Sequence, residues 1–583
     1  MLSQAESARR ELLSRLARLP LFAGLDGASL SDLADAMQWL ALPGGSTLFE
    51  QGETSDSLYV LLFGRLAAVR TGADGQLRTL GSVAPGECVG EIGLITGDVR
   101  SAGVFALRDC ELLRLPREAF EKLVAMHPAA MLGMARIALR RNGPNQGAPS
   151  VPHCFALLPV QPGLDVEGFA RKLALALGAD PAHALVSAAQ GQHREPGWFN
   201  AREAHSPTLV YLADGDAVWQ ERCLRQSDCV LLLGDGARPP RLPAPETNPH
   251  VPQHLVMLQT GVPSPGSTQV WRSAYPGTAA HHHVRSDADL ARLARRLSGR
   301  AVGVVLSGGG ARGFAHLGVV KALREAGVLI DYVGGASIGA VLGAGVAADW
   351  THEQMVDVFR RSFVTTNPLG DWTLPLVSLR AGRQVSRRLR EAYGERDIED
   401  LPLPFYAVSS NLTAGHLEAH DSGSLWWALR ASCSIPGILP PVLSGGRVLV
   451  DGGVIDNLPV AEMRKRLSGE IIAVDVGGSY RLSTQLEETE LPPWWRLLPE
   501  FFGLRRHPSL AQVLLRAGMV NSDATVQRRR KQTRLLLKPM LDGIDLLEWK
   551  EFQRAIDLGY EFTLRKLEES REALLAEPAI LPK

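Results

Sequence analysis

Ile330-Asp331-Tyr332-Val333-Gly334-Gly335-Ala336-Ser337-Ile338-Gly339 runs into the small, apolar stretch Ala340-Val341-Leu342-Gly343-Ala344-Gly345-Val346-Ala347-Ala348. That order reads as a strand, a sharp turn and a helix, the context in which a G-x-S-x-G pentapeptide becomes a nucleophile elbow. Glycines at 335 and 339 remove the Cβ atoms that would obstruct the turn, so the Ser337 hydroxyl can project outward. The N-terminus of the new helix lies beneath it and favours negative charge. By itself the pentapeptide is equally compatible with an ordinary glycine-rich turn. Two other stretches separate the readings.

Upstream, the apolar strand Val302-Gly303-Val304-Val305-Leu306 leads directly into Ser307-Gly308-Gly309-Gly310-Ala311-Arg312-Gly313. A helical pattern follows from Phe314 through Val319, Val320 and Leu323 to Gly327, a C′ glycine. Consecutive glycines opening a helix expose backbone N–H groups to an anion. A nucleotide phosphate is one such anion, but no Lys-Ser or Lys-Thr follows these glycines as a P-loop requires. The oxyanion of an acyl-transfer intermediate is the other. A serine elbow so close downstream favours it, with Gly308, Gly309, Gly310 and Arg312 as the donor set.

Downstream, Leu449-Val450-Asp451-Gly452-Gly453-Val454-Ile455-Asp456-Asn457-Leu458-Pro459 places a carboxylate at the end of a buried strand. A Ser-Asp-His order would need a histidine after the acid. Beyond Asp451 the one histidine is His507, in the basic segment Arg505-Arg506-His507-Pro508, an unpromising setting for a buried base. Asp451 itself can accept the Ser337 proton and return it to a leaving group, which makes a Ser–Asp dyad.

The three motifs, in this order and strand context over residues 299–480, resemble the patatin-like phospholipase family. Finer features are similar to its bacterial neuropathy target esterase-like branch: Arg396-Asp397-Ile398-Glu399-Asp400-Leu401, Gly423-Ser424-Leu425-Trp426, Arg430-Ala431-Ser432 and Pro440-Pro441. The resemblance implies an α/β hydrolase core and a Ser337–Asp451 dyad without a catalytic histidine. It also implies a phospholipid or lysophospholipid substrate and no required cofactor. A broader lipase or phospholipase A, or a nucleotide-sensing scaffold with a lapsed core, are the competing readings.

Composition fits a multidomain α/β protein. The 583 residues carry 62 basic and 62 acidic side chains, so no excess of positive charge points to nucleic acid. Six scattered cysteines without C-x-x-C spacing suit a reducing compartment and suggest neither a disulfide framework nor a metal site. The start of the chain has no signal-peptide pattern, and a cytoplasmic location, peripheral at most to a membrane, is expected.

Residues 1–142 read as an N-terminal helix and a β-roll, from short strands such as Ser57–Phe63 and Leu66–Val69 punctuated by glycine. Within it, Gly90-Glu91-Ile92-Gly93-Leu94-Ile95 followed by Arg100-Ser101-Ala102 resembles the phosphate cassette of cyclic nucleotide-binding domains. That resemblance implies Glu91 on a ribose hydroxyl, Arg100 on a cyclic phosphate, Gly90 and Ser101 in the cradle, and a cyclic nucleotide as regulator. Residues 143–152 read as a linker, and 153–298 as an open α/β sheet with no Walker lysine. In that middle region, Arg222–Cys229 is again similar to the neuropathy target esterase branch, and His281-His282-His283 reads as an exposed loop. Residues 481–583 read as a helical extension. In it, Trp494, Trp495, Phe501 and Phe502 beside arginines suit either a membrane contact or a cap on the core.

Overall fold

The computed structural model describes residues 25–72, 77–126, 151–477 except 244, 246, 367 and 375, and 532–574, with scattered positions between 9 and 22 and position 493. Its chain divides into two compact units, Met1–Leu258 with Arg272–Ser298, and Gln259–Trp271 with Gly299–Lys583. Among the described residues no helix is long and apolar enough to cross a membrane.

The second unit is built on one sheet. Its strands lie in the order Val442–Ser444, Arg447–Asp451, Phe405–Asn411, Tyr332–Ala336, Val302–Leu306, Glu470–Val474 and Leu535–Leu537, and His416–His420 also pairs with Phe405–Asn411. The five strands from Phe405–Asn411 to Leu535–Leu537 are mutually parallel, and the other three join the sheet through antiparallel pairings. Helices cover this sheet, so its central strands are continuous apolar runs without polar alternation. The helix Ile338–Ala347 is buried at all ten positions, which accounts for the apolar stretch after Ser337. The helix Phe552–Leu574 lies on Ala315–Glu325 with backbones in contact. A Cβ added at Gly318 would overlap the carbonyl of Ile556, and one at Gly559 that of Ala315.

In the first unit two four-stranded antiparallel sheets form the expected roll. One runs Gln38–Leu42, Cys110–Pro116, Ser57–Phe63, Cys88–Val89, the other Thr47–Phe49, Gly103–Ala106, Leu66–Thr71, Leu77–Val83. Alternation along Ser57–Phe63 sends Tyr59 and Leu61 between the sheets and Leu58, Val60 and Leu62 against Phe120 and Leu123 outside, so both faces are apolar. The middle region is a six-stranded parallel sheet ordered Leu185–Val186, Leu209–Leu212, Cys154–Pro159, Cys229–Asp235, Gln253–Leu258, Thr278–Val284.

The histidine triplet departs from the exposed loop expected of it. It belongs to the strand Thr278–Val284, with His282 and His283 buried. His282 Nε2 meets His254 Nδ1 at 3.0 Å, and Arg296 approaches His282 Nδ1 at 3.1 Å. Burial holds His282 well below the ordinary imidazole range. Pairing with Gln253–Leu258 turned these side chains inward, and no local residue pattern announces that partner.

Buried charge joins the roll to the parallel sheet within this unit. Asp228 accepts the N–H groups of His153 at 2.9 Å and Cys154 at 3.1 Å, and pairs with Arg108 at 3.0 Å and Arg65 at 3.4 Å. Arg108 also pairs with Glu203. Beside them Asp109 accepts from Gly44 N–H at 2.8 Å and Gln226 Nε2 at 3.0 Å, and donates its own N–H to Arg225 at 3.0 Å. The Arg222–Cys229 segment is thus the edge on which the roll sits. Removing one partner of a buried pair strands the other, at about 3–5 kcal/mol. Asp228→Ala is therefore expected to lower the thermal unfolding midpoint of this unit by several degrees, whereas Arg171→Ala, in an exposed pair with Glu167, leaves it unchanged.

Candidate active site

Ser337 follows the strand Tyr332–Ala336 immediately and precedes the helix Ile338–Ala347. Its backbone has φ 52° and ψ −130°, a conformation that L-residues rarely adopt. The turn is tight because the chain passes against its neighbours. A Cβ at Gly335 would stand 2.8 Å from the Leu306 carbonyl oxygen, and one at Gly339 would overlap that oxygen and the carbonyl of Ser307. The Ser337 N–H donates to Ser432 Oγ at 2.9 Å, at the end of the helix Leu425–Ser432.

Sheet register brings the carboxylate to the serine. Ala336 pairs with Val408 and Ser409 with Asp451, so the residue after Ala336 comes level with Asp451 across the strand Phe405–Asn411. Ser337 Oγ donates to Asp451 Oδ2 at 2.6 Å. The other oxygen, Oδ1, accepts from Gly453 N–H at 2.8 Å, and Asp451 N–H donates to the Ser434 carbonyl at 2.9 Å. Burial raises the Asp451 carboxyl to about 6, against the downward pull of the Ser337 hydroxyl and the Gly453 N–H. Such a group is ionised at neutral pH and remains a usable base.

The glycine loop lies alongside. A Cβ at Gly308 would sit 3.0 Å from Ser337 Cβ, so only glycine lets the loop approach the hydroxyl this closely. Gly308 N–H donates to the Asn457 carbonyl at 3.3 Å, and Asn457 Nδ2 donates back to the Gly308 carbonyl at 3.1 Å. Arg312 N–H donates to the Gly309 carbonyl at 3.2 Å, and its guanidinium to the carbonyls of Ile544 at 2.7 Å and Gly477 at 3.3 Å. Of the four residues read as a donor set, Gly308 and Arg312 therefore already spend their N–H groups on loop structure. Those of Gly309 and Gly310 have no protein acceptor among the described residues. Ser432 and Asn457 play positioning parts that the sequence did not announce, although Asn457 stands six residues after Asp451.

Ser337, Asp451 and the three glycines line a cleft of about 1150 Å³. Its walls are otherwise largely apolar, with Phe359, Phe363, Leu369, Leu389, Ile435 and Trp549 prominent. No histidine lines it among the described residues, and Arg388 is its one cationic side chain. The nearby His316 is buried, contacts the Ser307 carbonyl through Nε2 at 2.9 Å and is lowered by burial to about 4.

A second cavity of about 690 Å³ lies in the roll, lined by Gly90, Glu91, Arg100 and Ser101 together with Phe49, Val83 and Val104. Arg100 is held from behind: it donates to the carbonyls of Ser57 at 2.8 Å and Gly90 at 3.1 Å, pairs with Asp56 at 3.3 Å, and its Cζ lies 4.2 Å over the Phe49 ring. Its Nε is buried without a hydrogen-bond partner among the described residues. Glu91 is buried at the start of the short helix Glu91–Thr96. A buried guanidinium with an unspent donor suits an anionic group. The residues Trp494, Trp495, Phe501 and Phe502 lie outside the described residues.

Comparison with known proteins matches residues 39–127 to the cyclic nucleotide-binding domain, 153–298 to the neuropathy target esterase family P-loop like domain, and 304–464 to the patatin-like phospholipase family. The lysophospholipase NTE1 of Coccidioides immitis is 29% identical over 630 residues, covering 90% of this chain and 40% of that protein. That of Yarrowia lipolytica is 28% identical over 656 residues, covering 92% of this chain and 46% of that protein. The chain thus spans less than half the length of these relatives. With all three domain matches in this order, the chain is similar over nine-tenths of its length to patatin-like proteins of the neuropathy target esterase type, with a match to the cyclic nucleotide-binding domain ahead of the patatin-like one.

Proposed function

We propose that the protein is a serine acyl-ester hydrolase that releases the fatty acid of lysophospholipids through a Ser337–Asp451 dyad. The observation that carries this reading is the 2.6 Å hydrogen bond from Ser337 Oγ to Asp451 Oδ2 at an apolar cleft. The lysophospholipid class is brought by the relatives' names.

Asp451 takes the Ser337 proton as the oxygen attacks the ester carbonyl. The developing oxyanion is received by the N–H groups of Gly309 and Gly310, and each such donor contributes roughly 3–4 kcal/mol to the transition state. Protonated Asp451 then gives its proton to the departing glycerol oxygen, leaving an acyl-Ser337 ester with its chain against the apolar wall. A water molecule enters, loses a proton to Asp451 and attacks the acyl carbon. Collapse returns the proton to Ser337 and frees the fatty acid.

The roll is assigned to binding a cyclic nucleotide as regulator. Arg100 would hold the cyclic phosphate, Glu91 a ribose hydroxyl, and Gly90 and Ser101 the sides of the cradle. The unpartnered Arg100 Nε and the cavity beside it support this. Attachment to a membrane surface from the cytoplasmic side, with Trp494, Trp495, Phe501 and Phe502 in contact, belongs to the same proposal.

Fatty-acid release from lysophosphatidylcholine is expected from the wild type and is expected to fall by at least about a thousandfold in Ser337→Ala. Equal release by both proteins sinks the dyad; faster release from diacyl phosphatidylcholine moves the reading to a phospholipase A. Because Asp451 acts in its ionised form, kcat/KM should rise with pH through a single ionisation near 6 and level off above it. A flat profile between about pH 5 and 7 removes Asp451 as the base. In the roll, Arg100→Gln should abolish the thermal stabilisation produced by cyclic AMP or cyclic GMP; stabilisation that survives the substitution places the nucleotide elsewhere.

A further inference from the structure

Exposed large apolar side chains are scattered singly over the described surface, with one exception: Trp372, Leu374, Leu376 and Val377 are exposed by 71%, 78%, 89% and 68% within six positions. Single exposed apolar residues need no explanation, whereas a contiguous group does. This group is the tip of a loop that belongs to the catalytic cleft. The chain leaves the cleft wall at Pro368 and Leu369 and rejoins it at Val385, Arg388 and Leu389, on the helix Arg383–Tyr393.

The base of the loop is fixed. Leu379 and Arg380 donate their N–H groups to the carbonyls of Gly437 at 2.8 Å and Ile438 at 3.0 Å, Ala381 N–H donates to Asp371 at 2.8 Å, and Trp372 bridges to Arg380. The Arg380 guanidinium carbon lies 3.2 Å over the Trp372 ring. The apolar tip is thus held outward by a hydrogen-bonded base.

The sequence on either side of the tip is rich in arginine. Residues 358–390 contain seven arginines and one acid, Asp371, in a chain whose charges cancel overall. Carboxylates outside that stretch pair with several of them: Asp357 with Arg361, Glu391 with Arg387 and Arg388, and Glu395 with Arg390. Arg360, Arg380 and Arg383 have no carboxylate within 4.0 Å among the described residues, and Arg360 and Arg383 are exposed. Tryptophan and leucine flanked in sequence by arginine suit the boundary between headgroups and acyl chains, where apolar side chains enter and guanidinium groups stay at the phosphates.

We propose that the Trp372–Val377 tip inserts into the surface of an anionic phospholipid bilayer and so sets the mouth of the cleft against its substrate. The proposal rests on the lipid-hydrolase reading, and it places the membrane contact at residues distinct from the aromatic stretch around Trp494.

The test uses the full chain and co-sedimentation with vesicles of phosphatidylcholine containing phosphatidylglycerol. The variant carries Trp372→Ser, Leu374→Ser, Leu376→Ser and Val377→Ser. Its vesicle affinity is expected to fall by about tenfold or more, with the unfolding midpoint and turnover of a dissolved short-chain p-nitrophenyl ester retained. Arg383→Glu is expected to weaken binding to the anionic vesicles and leave binding to pure phosphatidylcholine unaltered. Vesicle binding equal to wild type in the fourfold variant, or no binding by the wild type, overturns the proposal. So does a fourfold variant that changes only self-association in sedimentation velocity, which gives the patch to a second copy of the chain. If the fourfold variant has a lowered midpoint, Leu376→Glu alone carries the same comparison. Failure of the wild type to cleave the dissolved ester overturns the hydrolase reading separately, because that substrate needs no membrane.

Discussion

A buried carboxylate must have its charge answered by hydrogen bonds, and in the second unit that requirement falls on Asp451. Its two oxygens are met by Ser337 Oγ and Gly453 N–H, and its own N–H is taken by Ser434. Those contacts tie together the elbow, the turn after the strand Arg447–Asp451 and the segment after the helix Leu425–Ser432. Ser432 closes the circuit by accepting the Ser337 N–H. The strained backbone at Ser337 persists because the surroundings hold it from several sides at once.

Close backbone approach is the second constraint, and it explains why glycine recurs where the chemistry does. Gly308 faces Ser337 Cβ, Gly335 faces the Leu306 carbonyl, and Gly313 lies against the Ile338 side chain. Each removes a methyl group that would push the glycine loop and the elbow apart. Preorganised N–H donors are effective only within hydrogen-bond distance of the developing charge, so a displacement of about an ångström at any of these positions would weaken them. The same device recurs away from the site, where Gly318 and Gly559 bring two helices into backbone contact.

The elbow, the glycine loop and Asp451-Gly452-Gly453 were legible in the sequence because their chemistry is written in adjacent residues. The roll and the open α/β sheet were open to periodicity and turn signals, and the patatin-like core to the resemblance its motifs carry. Residues whose role depends on a distant partner were not. Arg312 sits inside the glycine motif, yet its guanidinium turns to Ile544 and Gly477. Gly308 gives its N–H to Asn457, 149 positions away. The three consecutive histidines looked like a polar loop until a neighbouring strand and Arg296 enclosed them. Asp228 looked like one charge in a mixed segment, and only two arginines from the roll reveal it as a docking point.

A serine hydroxyl bonded to one carboxylate, with no histidine beside it among the described residues, has only that carboxylate to draw its proton, and burial raises the basicity of the acid. An aspartate with an ordinary value near 3.8 would be a weak base toward a serine hydroxyl, whereas one raised to about 6 is more basic by a factor of roughly a hundred. That rise corresponds to about 3 kcal/mol of lost stabilisation of the carboxylate. At pH 7 the group is still ionised by about ten to one, so little of the basic form is lost. A further rise of two units would leave the acid form dominant at neutral pH. The Ser337 hydroxyl and the Gly453 N–H oppose that rise, so the contacts that orient the carboxylate also keep it ionised.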